Sequence, residues 1–93
     1  MPLEFEWDHE KAKTNRKKHG VTFEEAATVF ADPLALTIPD PDHSEDEDRY
    51  ITVGESTQRR IVVVSAVDRN DIIRIISARI ANRRERRQYE EAS

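Results

Sequence analysis

Two runs of β-branched residues stand almost back to back in this chain. Arg60–Val67 and Asp71–Arg79 are separated only by Asp68, Arg69 and Asn70. Side chains branched at Cβ favour extended backbone, and Asp and Asn favour the turn between. So short a link joins only antiparallel neighbours. A dense Ile/Val run is expected where both faces of a strand are covered, so the strand with Val62, Val63 and Val64 should be central. Arg49–Glu55 alternates apolar and polar residues and reads as a further strand. Leu34–Ile38 is a short apolar one, and Pro39–Asp48 between them is a Pro- and Asp-rich loop. The four strands together predict an antiparallel meander.

The first third of the chain is different. Leu3, Phe5 and Trp7 alternate with Glu4 and Glu6, the pattern of a short half-buried strand. Asp8 stands where an N-cap belongs and Gly20 where a left-handed C-cap belongs, framing a Lys-rich helix over 9–19. Thr22, with Glu25 three residues on, opens a second helix with a capping box. Phe23, Ala26, Ala27 and Phe30 mark its core stripe, and Asp32-Pro33 ends it. Asn82 and Glu85 cap a last helix through Arg83, Arg84, Arg86, Arg87 and Tyr89. It carries almost no apolar stripe, so it should be loosely attached or belong to a partner. The order β-α-α-β-β-β-β-α predicts one α+β domain over 1–93: a short N-terminal strand, two helices packed on an antiparallel β-meander and a polar C-terminal helix.

Composition narrows the chemistry. The chain has 93 residues, 37% charged, a net charge of −4 and no cysteine. Thiolate catalysis, disulfides and cysteine-ligated zinc are excluded. No apolar run reaches the ~18 residues of a membrane span, and Met1–Glu10 has no signal-peptide layout; a cytoplasmic protein is expected. The charge is unevenly placed. Residues 1–48 hold five Lys/Arg against thirteen Asp/Glu, and residues 49–93 hold ten against six. The five early cations all lie between Lys11 and Lys18. Such segregation builds a basic surface on an acidic chain, or merely solvated charged faces. With Gly20 and Gly54 the only glycines, a glycine-rich phosphate loop is impossible. The acidic cluster Asp40, Asp42 and Glu45–Asp48 lacks calcium-loop spacing, so neither a metal nor any other cofactor is expected.

Two segments carry a resemblance. One runs Trp7-Asp8, Lys11, Asn15, Lys18-His19-Gly20-Val21 and Phe23. The other runs Arg74 to Arg79 with Ala81, Glu85-Arg86 and Tyr89, and Asp32-Pro33, Arg49 and Gly54 fall in order between them. The chain resembles the BrnT toxins from Phe5 to about Glu90. That resemblance implies a RelE-like fold and a growth-arresting ribonuclease. It also implies neutralisation by a BrnA-like ribbon-helix-helix antitoxin that binds the operon's DNA, with two toxins on an antitoxin dimer. DNA is then met only through the antitoxin, and the toxin alone is a monomer or weak dimer. The chain departs from the ribonuclease toxins in being acidic.

Cleavage of RNA without a metal needs a base for the 2′-hydroxyl, cations for the phosphorane and an acid for the leaving oxygen. His19 suits the proton transfers; it equally suits the carbonyls at the end of its helix. His9 and His43 read as solvated. Arg49 and Arg79, at strand ends, suit phosphate or a structural ion pair. In a regular pleat Arg79 shares a face with Ser77 and Ile75, and Arg74 points the other way. Lys11, Asn15 and Lys18 share a helix face that either follows an RNA backbone or is wet. The expected site is therefore His19, Arg49 and Arg79 for catalysis, Lys11, Lys18, Arg60 and Arg74 for RNA, and Arg83, Arg86 and Tyr89 for the antitoxin. Tyr50 and Tyr89 either stack a base or pack in the rim. The competing reading is a toxin fold without catalysis, serving as the antitoxin's partner and co-repressor. A direct DNA-binding regulator lacks any helix-turn-helix signature.

Overall fold

The structure is a computed structural model that describes residues 3–43 and 48–92. Glu45, Asp46 and Glu47 of the acidic loop lie outside the described residues, as does the side chain of His43. Five strands form one sheet: β1 (Glu4–Glu6), β2 (Leu36–Pro39), β3 (Arg49–Glu55), β4 (Ile61–Arg69) and β5 (Ile72–Ile80). Their order is β1-β5-β4-β3-β2. The last four are the antiparallel meander expected from the sequence, and β1 adds to β5 in parallel, making the sheet mixed. Helices α1 (His9–His19) and α2 (Phe23–Thr28) pack on one face, a 3₁₀ turn at Val29–Ala31 extends α2, and α3 (Arg83–Ala92) closes the chain.

The caps act as the residue types predict. Asp8 accepts from the amides of Glu10 and Lys11 at 2.8 and 3.2 Å, and Gly20 takes the left-handed conformation at φ 70°. Thr22 Oγ1 accepts from the Glu25 amide at 3.0 Å. Glu25 does not return the bond as a capping box would. Its carboxylate turns inward, with 1% of the side chain exposed, and accepts from Ser56 Oγ at 2.7 Å and from Nε and Nη2 of Arg60. Arg60 also donates to the Gly20 carbonyl at 3.0 Å. One buried ion pair thus ties both helices to the β3–β4 turn.

The core lies between the helices and the middle strands. Val21, Phe23, Ala26 and Val29 meet Val62, Val64, Ile75 and Ala78, all 0–1% exposed. Asn15 is buried with them. Its side chain donates to the carbonyls of Val21 and Ala78 at 3.0 and 2.8 Å and accepts from the Ala78 amide at 3.1 Å. It locks α1 to β5 and is not part of an RNA-facing surface with Lys11 and Lys18.

Two local departures from the expected pattern matter. The β4–β5 turn sits at Asn70-Asp71, both at positive φ (54° and 66°), so β4 runs on through Asp68 and Arg69. Two residues at positive φ match the right-handed twist of a hairpin. The second departure is a bulge. Val67, Ser65 and Val63 pair with Arg74, Ser77 and Arg79, while Ala66 and Val64 pair with Ile75 and Ala78. Ile76 is the extra residue, and beyond it the pleat changes phase. Arg74 and Arg79 therefore share the face away from α1 and α2, where regular alternation would separate them.

The last helix is less detached than its composition suggests. Asn82 and Glu85 exchange the expected capping-box bonds at 2.8 and 2.9 Å. Tyr89 is 6% exposed and donates to Asp32, and Glu85 takes Arg79 in a two-point ion pair at 2.7 Å for each bond. A single aromatic and one ion pair do what an apolar stripe would otherwise do.

Candidate nucleic-acid interface

Charge and space coincide at the end of the sheet where β3 begins and β4 turns into β5. A cavity of about 580 Å³ opens there, lined by Lys11 from α1, Arg49 from β3, Arg69 from β4 and Arg74 from β5, with Asp48 and Asp68 at its edge. Four cations face two carboxylates. Arg49 pairs across β4 with Val67, and Val67 with Arg74, so the two arginines stand on one face two strands apart, about 10 Å.

Arg49 stands out among the described residues. Its Nε is buried and, among the described residues, has no hydrogen-bond partner. A buried guanidinium N–H without an acceptor is unfavourable by about 1–3 kcal/mol. The backbone around it is fixed. Asp48 takes a positive φ of 63°, and the Asp40 amide donates to the Arg49 carbonyl at 3.2 Å, closing the loop. Arg74 is partly neutralised by Glu6 at 3.0 Å.

A second space of about 590 Å³ adjoins the first and shares Arg49, Asp48 and Asp68 with it. Its walls are largely apolar: Phe30, Ile38, Pro39 and the Tyr50 ring, with Thr37. Tyr50 donates to Asp68 Oδ1 at 2.6 Å. Burial, and next the Asp68 carboxylate, push the Tyr50 phenol far up, so it stays protonated and does not act as a base. Among the described residues no three His, Asp or Glu side chains gather to hold a metal ion. No helix among them is long and apolar enough to cross a membrane.

Residues 7–85 match the family described as the ribonuclease toxin BrnT of type II toxin–antitoxin systems. The chain belongs to the BrnT family. The crystal structure of the Brucella abortus ribonuclease toxin BrnT superposes with a TM-score of 0.69 at 25% identity, over 88% of this chain and 100% of that one. No curated protein matches the chain. Family membership places it among ribonuclease toxins and implies an antitoxin partner.

Against this BrnT frame the residues singled out in the sequence fall into separate groups. Arg49, Arg74 and Lys11 come together in the cationic cavity. His19 and Lys18 do not join them. They are exposed at the far end of α1, beside Gly20, whose carbonyl holds Arg60. From Arg60 to Val67, the partner of Arg49, the strand measures about 23 Å at about 3.3 Å per residue. Arg79 is bound by Glu85 and Arg60 by Glu25, each guanidinium held in its charged form by its partner's hydrogen bonds. Arg83 and Arg86 are exposed along α3 and, with Arg87, line a smaller cavity. Tyr89 faces the other way, into the protein, and is 6% exposed.

Arg69, Asp68 and Phe30 join the site only in the structure. In the sequence Arg69 and Asp68 read as turn residues, and continued alternation beyond Val67 is the one signal of their strand position. Phe30 reads as core in a helical stripe, and nothing in the sequence tells that it also walls an opening.

Proposed function

We propose that this BrnT-family chain is an endoribonuclease toxin that cuts RNA by attack of the 2′-hydroxyl, without a metal ion, and that Arg49 holds the phosphate. The observation that carries the proposal is the buried, unpartnered Arg49 Nε at the meeting point of Lys11, Arg69 and Arg74. The planar fork of Arg49 presents two parallel donors to a phosphate. Arg74 and Arg69 add charge as the phosphorane forms, which is where fixed donors act most strongly. Asp48, at the edge of the same cavity, takes the 2′-hydroxyl proton as that oxygen bonds to phosphorus; the P–O5′ bond breaks, leaving a 2′,3′-cyclic phosphate, and the 5′-oxygen takes a proton from the Lys11 ammonium or from solvent. Lys18 and His19, at the other end of α1, serve as outlying RNA contacts. Arg79 becomes a phosphate ligand only if Glu85 releases it.

The partner in this reading is a BrnA-like ribbon-helix-helix antitoxin, two toxins to one antitoxin dimer. Arg83 and Arg86 supply its contact on α3.

Cleavage of RNA by the purified chain in EDTA tests the reading. Arg49→Ala should lower the rate about 10²–10³-fold, the usual loss for one oxyanion-stabilising donor, with the fold intact. His19→Ala and Arg79→Ala should each have a smaller effect. Full activity in Arg49→Ala, or abolition by His19→Ala alone, removes the cavity from the mechanism. Absence of cleavage with growth arrest also absent would leave the co-repressor reading, which the closed Arg79–Glu85 pair favours.

A further inference from the structure

The groove beside Arg49 joins two chemistries that seldom adjoin by accident. One wall is the guanidinium that faces the cationic cavity. The others are Phe30, Ile38, Pro39 and the Tyr50 ring. An occupant that satisfies both must be anionic at one end and flat and apolar at the other. A nucleotide has that form, with its phosphate at Arg49 and its base in the groove.

The polar groups left in the groove narrow the choice of base. The Tyr50 hydroxyl donates its hydrogen bond to Asp68 Oδ1, and the Thr37 hydroxyl is shared with Thr52 at 2.9 Å. What faces the occupant is the carboxylates of Asp68 and Asp48, which accept and do not donate when ionised. Asp68 is exposed and has Oδ2 beyond its bond to Tyr50. The ring walls are set before any ligand arrives. Phe30 stacks obliquely on Phe5 with centroids 5.4 Å apart, and Tyr50 lies in the β3 ladder opposite Pro39 and Ala66.

We infer that this groove is a nucleobase subsite selecting a base whose exposed edge donates hydrogen bonds, guanine in first place. Guanine offers N1–H and the N2 amino group side by side, a match for one carboxylate. Uracil offers a single N–H between two carbonyl oxygens, which the carboxylates repel. A site edged by acceptors disfavours the base lacking donors because the carboxylates would give up water to face its carbonyl oxygens. Phe30 and Tyr50 add stacking, which any base gains and which therefore contributes affinity without choice. The inference rests on Arg49 as the phosphate ligand.

The test uses the intact chain and three small probes: guanosine 5′-monophosphate, uridine 5′-monophosphate and ribose 5-phosphate, with binding followed by amide chemical shifts. Guanosine monophosphate should bind at least tenfold tighter than either other probe and shift the amides of Phe30, Ile38 and Asp68. Asp68→Asn, an exposed change that leaves the core untouched, should bring guanosine and uridine monophosphate within threefold of each other. Ile38→Glu, also at an exposed position, should weaken every nucleotide and leave ribose 5-phosphate unchanged. Equal binding of all three probes, lost in Arg49→Ala, overturns the base subsite and keeps the phosphate site. Binding indifferent to Arg49→Ala overturns both. Nucleotides that leave the groove amides unmoved, while an apolar peptide segment shifts them, would make it a protein-docking groove and overturn the inference.

Discussion

The Tyr89 hydroxyl donates to the Asp32 carboxylate, and through that bond the last helix of the chain is tied to the loop that follows α2. The same carboxylate takes the Glu55 amide at 2.8 Å and the Leu34 amide at 2.9 Å, so Asp32 joins α3, β3 and the approach to β2 in one place. Its bond pushes the Tyr89 phenol up to about 12, keeping the hydroxyl a donor throughout the physiological range.

Tyr89→Phe removes one donor and leaves the carboxylate with two. It should lower stability by about 1–2 kcal/mol and raise amide exchange in α3 more than in β4 or β5. Urea unfolding and hydrogen exchange measure the two effects. Equal acceleration everywhere would mean that α3 unfolds only with the rest.

Asn15→Leu preserves volume but leaves the Ala78 amide and the Ala78 and Val21 carbonyls without their partner. The expected loss is about 2–4 kcal/mol, read from the urea midpoint at unchanged slope. A change within 0.5 kcal/mol would show that α1 and β5 do not need this lock.

Gly54→Ala should be destabilising for a steric reason alone. A Cβ there would lie 3.0 Å from Ala35 Cβ and Val29 Cγ1 and 3.1 Å from Asp32 Oδ2. Overpacking of this kind lowers stability by about 1–3 kcal/mol. Ala35→Gly in the same chain should recover part of it.

Acid should unfold the protein through three carboxylates. Hydrogen bonds from Arg60 hold Glu25 below the ordinary glutamate value of 4.5, and those from Arg79 hold Glu85 below it. Asp32 is also lowered: burial acts to raise it, and the bonds from the Glu55 amide, Tyr89 and the Leu34 amide prevail. A group whose folded value is depressed protonates more readily when unfolded. Its stabilisation is therefore complete above the unfolded value and lost as pH falls through the folded one. Stability should be level from pH 7 to about 5 and fall below 4.5. Glu25→Gln should start lower at neutral pH and fall less steeply in acid; an unchanged acid slope would exclude Glu25 from the transition.

Much of this fold could be read from residue pattern because each signal was local. The β-branched runs, the Asp8 and Thr22 caps and the left-handed Gly20 depend on neighbours within a few positions. What stayed hidden was set by contacts distant in sequence. Asn15 sits among charged residues on a polar helix, and only Ala78, 63 positions on, makes it a core residue. Tyr89 alone gives α3 an inward face, because Asp32 waits 57 positions earlier. The site suffered most. Arg49, Arg60, Arg74 and Arg79 are alike as letters. Only their partners separate Arg49, whose Nε has none among the described residues, from the arginines already answered by Glu25, Glu6 and Glu85.

The Ile76 bulge divides β5 into two reading frames. Before it, odd-numbered positions enter the core; after it, even-numbered ones do. Substitutions on either side therefore obey opposite rules. Flattening the bulge with Ile76 kept in the ladder would carry Arg79 toward the buried face, whereas deleting Ile76 would leave Arg79 opposite Val63 on the outer one. Ile76 thus works as a comma in the strand: it separates the clause that carries Arg74 from the one that carries Arg79, and lets both be read on the same face.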